Sequence, residues 1–146
     1  MFHDRDEAGL GVVVRDAQGL SMASLAHKIK LPWSVEVVEA LAAKRAVQFA
    51  LEISITKGEL EGDLVTIVRA LKVEGASHAM FGLIIDDIRA LSSNLEKVQF
   101  SHIKCRGNCI AHALARHAQH CDASKSDKCM CAESHIEHIL GQTRLY

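Results

Sequence analysis

The first part of the chain alternates between apolar runs and short polar breaks. Leu10 to Arg15 is a valine-rich run, and a second β-prone segment extends from Leu20 to Ala26. The intervening residues 16–19 include Asp and Gly, which are typical of tight turns, and Gly19 can adopt a positive φ. This pattern predicts a β-hairpin.

The longest helical pattern begins after the single proline, Pro32, and extends to about Ile53. Ser34 can cap its N-terminus, and Glu36 places a negative charge in the first turn, where the helix dipole favours it. Apolar residues recur at helical spacing, and we expect them to face a core. They are Val35, Val38, Ala42, Ala46, Phe49 and Ile53.

Shorter elements of both types follow this helix. Glu59 to Glu61 is a candidate strand, although its residues have low β propensity. Helical patterns over 64–74 and about 79–95 precede an alternating strand over 97–105 and a helix from about Asn108 to Ala118. Hairpin, helix, strand, two helices, strand and helix, in this order, predict an α/β fold with helices covering a sheet.

The composition predicts one packed domain. The chain has 146 residues, of which 49% are hydrophobic, and this suits a single core. We assign residues 1–120 to the domain and expect residues 121–146 to form a flexible polar tail that contains Cys and His. The formal net charge is −1, so any binding to nucleic acid has to come from a local basic patch.

The sequence gives no reason to expect a membrane or secreted protein. No apolar run is long enough to span a bilayer, and the charged start of the chain does not resemble a signal peptide. The five Cys form an odd set near the C-terminus and are interpreted as free thiols of a reducing compartment. We therefore expect an intracellular protein, either cytoplasmic or nuclear.

Four segments carry a resemblance to a known family. They are Glu7–Asp16 followed by Gly19, then Val35–Ala43, Leu60–Asp63 and Gly107–Ala115. In this order and at these separations they resemble the plant-type ribonuclease H-like domain of retroelement-derived and stand-alone plant proteins. The resemblance covers about residues 7–118, and it implies a mixed five-stranded β-sheet flanked by α-helices.

The resemblance also implies endonucleolytic hydrolysis of the RNA strand in RNA–DNA hybrids, with Mg²⁺ or Mn²⁺ as cofactor. Two divalent ions that flank a phosphate require several carboxylates, because such ions prefer oxygen ligands and repel each other. By resemblance, Glu39 and Asp63 are the metal ligands and catalytic residues, and His112 stands where many members have a further carboxylate.

One part of the family pattern has no match. The family's first strand is central in the sheet and carries the first catalytic aspartate, and this chain begins after that point. We therefore predict that the central strand is missing and that hydrolysis is weak or absent. Two alternatives remain, namely a non-catalytic module that binds nucleic acid or protein, and a gene fragment.

Each candidate residue also has a purely structural interpretation. Glu39 suits the boundary of an amphipathic helix, Asp63 suits an N-cap, and His112 suits a solvated helix face. Four residues near the last helix are candidate contacts to nucleic acid, either RNA or a hybrid, although a solvated basic face is the simpler reading. They are Lys104, Arg106, Asn108 and Arg116.

The Cys and His residues near the C-terminus raise the question of a zinc site. Cys129 and Cys131 are separated by one residue, and His135 and His138 by two. Structural zinc sites ordinarily use longer spacings within each pair. The sequence therefore argues against zinc.

Overall fold

A computed structural model describes most of the chain, namely residues 6–32, 34–63, 65–73, 75, 81–104, 109–120 and 143–145. The strands are β1 (Glu7–Arg15), β2 (Ser21–Lys30), β3 (Lys57–Gly62), β4 (Lys97–His102) and β5 (Thr143–Leu145). The helices are α1 (Val35–Glu52), α2 (Val65–Lys72), α3 (Gly82–Ser92) and α4 (Cys109–His120). None of the helices in these ranges is long and apolar enough to cross a membrane.

The hairpin prediction is confirmed. β1 and β2 pair antiparallel from Glu7 opposite Lys30 to Arg15 opposite Ser21, so both strands are longer than the apolar runs suggested. The Asp16 carboxylate accepts hydrogen bonds from two backbone N–H groups of the turn, each at 2.9 Å. Gly19 has a φ of 82°, as predicted for the residue that closes the turn.

The prediction of α1 is also confirmed, including its cap. Ser34 Oγ accepts a hydrogen bond from the backbone N–H of Val37 at 3.4 Å and donates one to the Glu36 carboxylate at 2.6 Å. The bond from Ser34, together with one from the backbone N–H of Glu36, lowers the pKa of this glutamate. The sequence therefore specifies the N-terminus of α1 locally.

The predicted core stripe of α1 is partly wrong. Val35 is 68% exposed, whereas Ala40, Val47 and Ala50 are fully buried. The reason is that α1 packs against α3 as well as against the sheet, so its buried side differs from the stripe read off the sequence. Ala46 and Phe49 are buried as predicted, and the other members of the stripe, Val38, Ala42 and Ile53, are half-buried.

The second part of the sheet also agrees with the sequence. β3 pairs in parallel with β4, from Lys57 opposite Lys97 to Gly62 opposite His102. β3 forms despite its low β propensity, because Leu60 and Glu61 are buried between neighbouring elements and tertiary packing outweighs propensity. α2 and α3 lie within the predicted helical ranges.

The position of β5 is the main difference from the sequence interpretation. The sheet order is β2-β1-β5-β3-β4, with β5 antiparallel to β1 and parallel to β3. Three residues of the segment expected to be a flexible tail therefore occupy the centre of the sheet, where the family's first strand was expected. Two facing strand edges offer backbone groups to any extended segment, and no local pattern reveals such pairing.

The helices cover the two faces of the sheet. α1 contacts β1 and β3, α2 contacts β3 and β4, and α4 contacts β1 and β2. The main hydrophobic core includes residues of β1, β2, α1 and α3. Its largest fully buried side chains are Val12, Val14, Leu25, Val47, Phe49, Ile85 and Ile88.

Candidate functional site

A cavity of about 230 Å³ lies between β1 and β3. β1 contributes Gly9, Leu10 and Gly11, and β3 contributes Leu60, Glu61 and Gly62. The remaining lining comes from α1, α2, β4 and α4, namely Val38, Glu39, Ala42, Ala43, Ala46, Ile67, Val68, Leu71, Phe100, Ala111 and Ala115. β5 pairs with the opposite end of β1, at Val14 and Arg15, so the cavity and β5 lie at different positions along β1.

The two glycines of β1 allow α4 to lie directly on the sheet. A Cβ atom at Gly9 would overlap the carbonyl oxygen of Ala115, and one at Gly11 would overlap that of Ala111. Such overlap with backbone cannot be relieved by a change of side-chain rotamer. The glycines in the hairpin motif therefore set the distance between β1 and α4.

Two carboxylates line the cavity. Glu39 of α1 is half-buried, and Glu61 of β3 is only 8% exposed. Asp63 follows Gly62 directly and is half-buried, but it is not among the residues that line the cavity. The structure thus brings Glu39 and the end of β3 to one cavity.

The described side chains do not make a complete site for a divalent metal. Within the ranges given above, no three His, Cys, Asp or Glu side chains lie close enough together to hold a metal ion. Mg²⁺ prefers six oxygen ligands in a near-octahedral arrangement and usually needs more than one carboxylate. The strand at the centre of the sheet, Thr143–Leu145, has no acidic residue in its sequence. The described residues therefore do not fit the ion pair that two-metal hydrolysis requires.

Four further predicted residues belong to α4 or precede it in the sequence. His112 and Arg116 belong to this helix; Arg116 is exposed, and the His112 side chain lies outside the described part of the structure. Arg106 and Asn108 also lie outside the described residues. The four residues considered for zinc, Cys129, Cys131, His135 and His138, fall in the range 121–142, which is likewise outside the described part.

His102 and Lys104 lie at the same edge of the sheet as Asp63. β3 and β4 are parallel and end together, and the backbone N–H of Ile103 donates to the Gly62 carbonyl at 2.9 Å. The His102 ring, through Nε2, is 3.1 Å from the Asp63 carbonyl oxygen. Lys104 is exposed two residues further along the chain. This edge therefore combines a carboxylate with basic groups.

Sequence reasoning did not single out Glu61 or His102. The one signal for Glu61 was its position in a strand next to the apolar Leu60, since strands of a sheet that helices cover commonly bury side chains on both faces. His102 had no comparable signal. Its proximity to Asp63 depends on the parallel pairing of two strands whose opposed residues are 40 positions apart in the sequence.

The chain is similar to a known protein family and to solved structures. A family described as reverse transcriptase-like matches residues 1–118. Among solved structures, RNase H1 from the halophilic archaeon Halobacterium salinarum is similar, with a TM-score of 0.70 and 21% identity over 81% of this chain and 89% of that chain. No curated protein matches the chain.

A second similar structure is the N-terminal RNase H domain of a Mycobacterium tuberculosis protein, solved as a fusion with maltose-binding protein. It has a TM-score of 0.67 and 20% identity over 81% of this chain and 86% of that chain. At these identities the two structures show a shared fold. The mixed sheet and its helices are thus of the ribonuclease H type, as the sequence predicted.

Proposed function

Since the chain belongs to the reverse transcriptase-like family and has the ribonuclease H fold, we propose that it binds RNA–DNA hybrids and cleaves their RNA strand weakly or not at all. The observation that carries this proposal is that the described strand at the centre of the sheet has no acidic residue. The residues found there, Thr143–Leu145, bring no carboxylate to stand beside Glu39 and the end of β3.

The charges at the edge of the sheet support nucleic-acid binding. Lys104 is exposed two residues beyond the end of β4, at the same edge of the sheet as Asp63, and Arg116 is exposed on α4. Exposed cations of this kind bind phosphate oxygens without reading sequence. Because the formal net charge of the chain is −1, these local cations have to provide the attraction to phosphate.

Any residual hydrolysis depends on Glu39 and Asp63, with Mg²⁺ or Mn²⁺ as the cofactor. Carboxylates are suitable ligands for both ions. In this proposal the ions would bind weakly, because Glu39 and Asp63 alone offer fewer anionic ligands than a two-metal site uses. His112, the third residue of the proposed site, supplies nitrogen, a poorer ligand for Mg²⁺.

Hybrid binding is tested by fluorescence anisotropy with a labelled RNA–DNA duplex in EDTA, over a range of NaCl concentrations. We expect metal-independent binding that weakens steeply with salt, because phosphate contacts release counterions. Lys104→Ala and Arg116→Ala should each weaken binding several-fold. Lys72→Ala, which removes an exposed lysine at the end of α2, is the matched control and should leave it unchanged.

Cleavage is tested on the same duplex by gel electrophoresis with Mg²⁺ and with Mn²⁺. We expect little or no product, and any product should disappear in Glu39→Gln and in Asp63→Asn. Rapid turnover by the unmodified chain would contradict the proposal of weak hydrolysis. Cleavage that persists in both variants would remove Glu39 and Asp63 from the mechanism.

The cellular and evolutionary setting follows from the same proposal. A domain that binds RNA–DNA hybrids acts inside the cell, in the cytoplasm or the nucleus. The similarity to plant retroelement-derived domains remains a prediction of the sequence motifs.

A further inference from the structure

One histidine at the end of β4 is hydrogen-bonded to the backbone of Asp63. The His102 ring, through Nε2, lies 3.1 Å from the Asp63 carbonyl oxygen. A carbonyl oxygen only accepts hydrogen bonds, so Nε2 is the nitrogen that carries the proton and donates. In a neutral imidazole, the hydrogen bond made by one ring nitrogen determines the state of the other. Nδ1 of His102 is therefore left with a lone pair and acts as an acceptor.

The side chain that carries this acceptor is exposed to solvent and lies beside a cation. His102 and Lys104 are exposed, whereas Ile103 between them is half-buried. This alternation is expected when successive side chains of an extended chain point to opposite sides. Within the described residues, Nδ1 of His102 has no hydrogen-bond partner and Lys104 has no carboxylate in ion-pair contact. An acceptor and a cation are thus neighbours at this edge of the sheet.

The contact between β3 and β4 fixes the orientation of the His102 ring. The two strands pair in parallel up to Gly62 opposite His102, and the backbone N–H of Ile103 donates to the Gly62 carbonyl at 2.9 Å. The Asp63 carbonyl follows directly and holds the ring through Nε2. A side chain that is already held in one rotamer loses less conformational entropy when it binds a ligand. Nδ1 is therefore a preorganised acceptor.

A hydrogen-bond acceptor does not contribute to the binding of phosphate. Phosphate oxygens accept hydrogen bonds and attract cations, so Lys104 suits them and a neutral imidazole nitrogen does not. The acceptor requires a donor on the ligand. The ribose 2′-hydroxyl is such a donor, and it is the group by which a protein distinguishes RNA from DNA at a given position.

We propose that His102 is a specificity-determining residue, whose Nδ1 accepts a hydrogen bond from a 2′-hydroxyl of the RNA strand while Lys104 binds a phosphate of the same strand. The Cα atoms of two residues in this relation are about 7 Å apart in an extended chain, so both side chains can contact neighbouring groups of one strand. The inference rests on the proposed binding of RNA–DNA hybrids and identifies the contact that selects RNA over DNA.

The test compares two duplexes that differ only in the 2′ substituent of one strand. One is the RNA–DNA hybrid, and in the other each ribose carries a 2′-fluorine, which keeps an RNA-like sugar but cannot donate a hydrogen bond. Binding is measured by fluorescence anisotropy in EDTA, in mildly alkaline buffer, where an ordinary imidazole is uncharged. We expect the unmodified chain to bind the hybrid about two- to tenfold more tightly, which is the range for one net hydrogen bond.

Substitutions assign this preference to a residue. His102→Phe keeps an aromatic ring but removes both nitrogens, and it should lose the preference for the hybrid. Lys104→Ala should weaken binding to both duplexes by the same factor and keep the preference. Gln99→Ala changes an exposed residue on the opposite face of β4 and, as the matched control, should behave like the unmodified chain. Thermal unfolding checks that the variants are folded.

The salt dependence of binding separates a hydroxyl contact from a phosphate contact. Loss of one phosphate contact reduces the slope of log affinity against log salt concentration by about one. Lys104→Ala should therefore reduce the slope. His102→Phe should keep the slope of the unmodified chain, because the hydrogen bond that it removes releases no counterion.

Three results would overturn this inference while leaving hybrid binding intact. They are equal binding of the two duplexes by the unmodified chain, an unchanged preference in a folded His102→Phe variant, and a reduced salt slope in that variant, which would make His102 a phosphate contact. Failure of the unmodified chain to bind either duplex would overturn the proposed function, and this inference with it.

Discussion

The sheet contains two strand pairs, β1 with β2 and β3 with β4, and the chain connects the two strands of each pair in a different way. β1 and β2 form a hairpin with nine opposed residue pairs, closed by a short turn. β3 and β4 form a parallel ladder of six pairs, and the chain between them contains α2 and α3. Between the two pairs, β5 contributes two opposed residues to β1 and three to β3.

The difference shows where the sheet is strong and where it is weak. The hairpin depends on residues close in sequence, so little entropy is lost in closing its loop. The central join depends on a strand of three residues from the far end of the chain. α1 also contacts β1, β3 and β5. The two halves of the sheet are therefore held together by helix packing as much as by backbone pairing.

The largest loss of stability should come from a side chain placed between β1 and α4 at Gly11, which lines the cavity. Gly11→Ala places a Cβ atom against the Ala111 carbonyl oxygen and should lower the free energy of unfolding by about 3 kcal/mol. Gly62→Ala is the matched control, because its Cβ would lie 3.8 Å from Val68 Cγ2, an ordinary contact. Urea denaturation followed by circular dichroism measures both. Equal losses would show that α4 does not rest on β1 as closely as the structure has it.

A smaller loss of stability is expected when residues 141–146 are removed. The loss of the β5 ladder should lower the free energy of unfolding by about 1–3 kcal/mol, since each backbone hydrogen bond contributes about 0.5–1.5 kcal/mol net. Amide hydrogen exchange should accelerate in Gly58–Leu60, which pair with β5. The β2 amides that pair only with β1 serve as the internal control. Uniform acceleration throughout the sheet would mean that the two halves do not differ in stability.

The smallest loss of stability is expected at α1, the helix that contacts both β1 and β3. Ser34→Ala removes the hydrogen bond to the Val37 N–H and should lower the free energy of unfolding by about 1 kcal/mol, equally for both halves. Ser93→Ala is the control, because Ser93 Oγ donates only to the Ala90 carbonyl at the end of α3. Denaturation curves of the two variants give the comparison, and equal losses would contradict a capping role for Ser34.

The Ser34→Ala variant should also change the pKa of Glu36. Ser34 lowers the pKa of this carboxyl in the folded protein, so the stabilisation is present above the unfolded-state pKa and is lost as the pH falls through the lowered value. In Ser34→Ala the pKa of Glu36 should therefore rise towards its ordinary value, as measured by NMR titration. An unchanged pKa would assign the shift to the backbone bond alone.

Much of the candidate site could be read from the sequence, but its completeness could not. The motifs predicted Glu39 and Asp63; Glu39 lines the cavity together with the end of β3, whereas Asp63 is not among the lining residues, and the roles of both remain predictions. Glu61 was overlooked, because its burial depends on the tertiary packing around the cavity. Arg106, Asn108 and the side chain of His112 lie outside the described residues, so their roles remain predictions.

By itself, the sequence determined the elements whose signals are local. The hairpin, the N-terminal cap of α1 and the order of helices and strands follow from turn residues, capping residues and apolar periodicity. Only the tertiary structure decided that Thr143–Leu145 lies between β1 and β3, and that residues of these two strands line a common cavity. The physical reason is that pairing between distant strands depends on which edges remain free after the local elements have packed, and no short stretch of sequence contains that information.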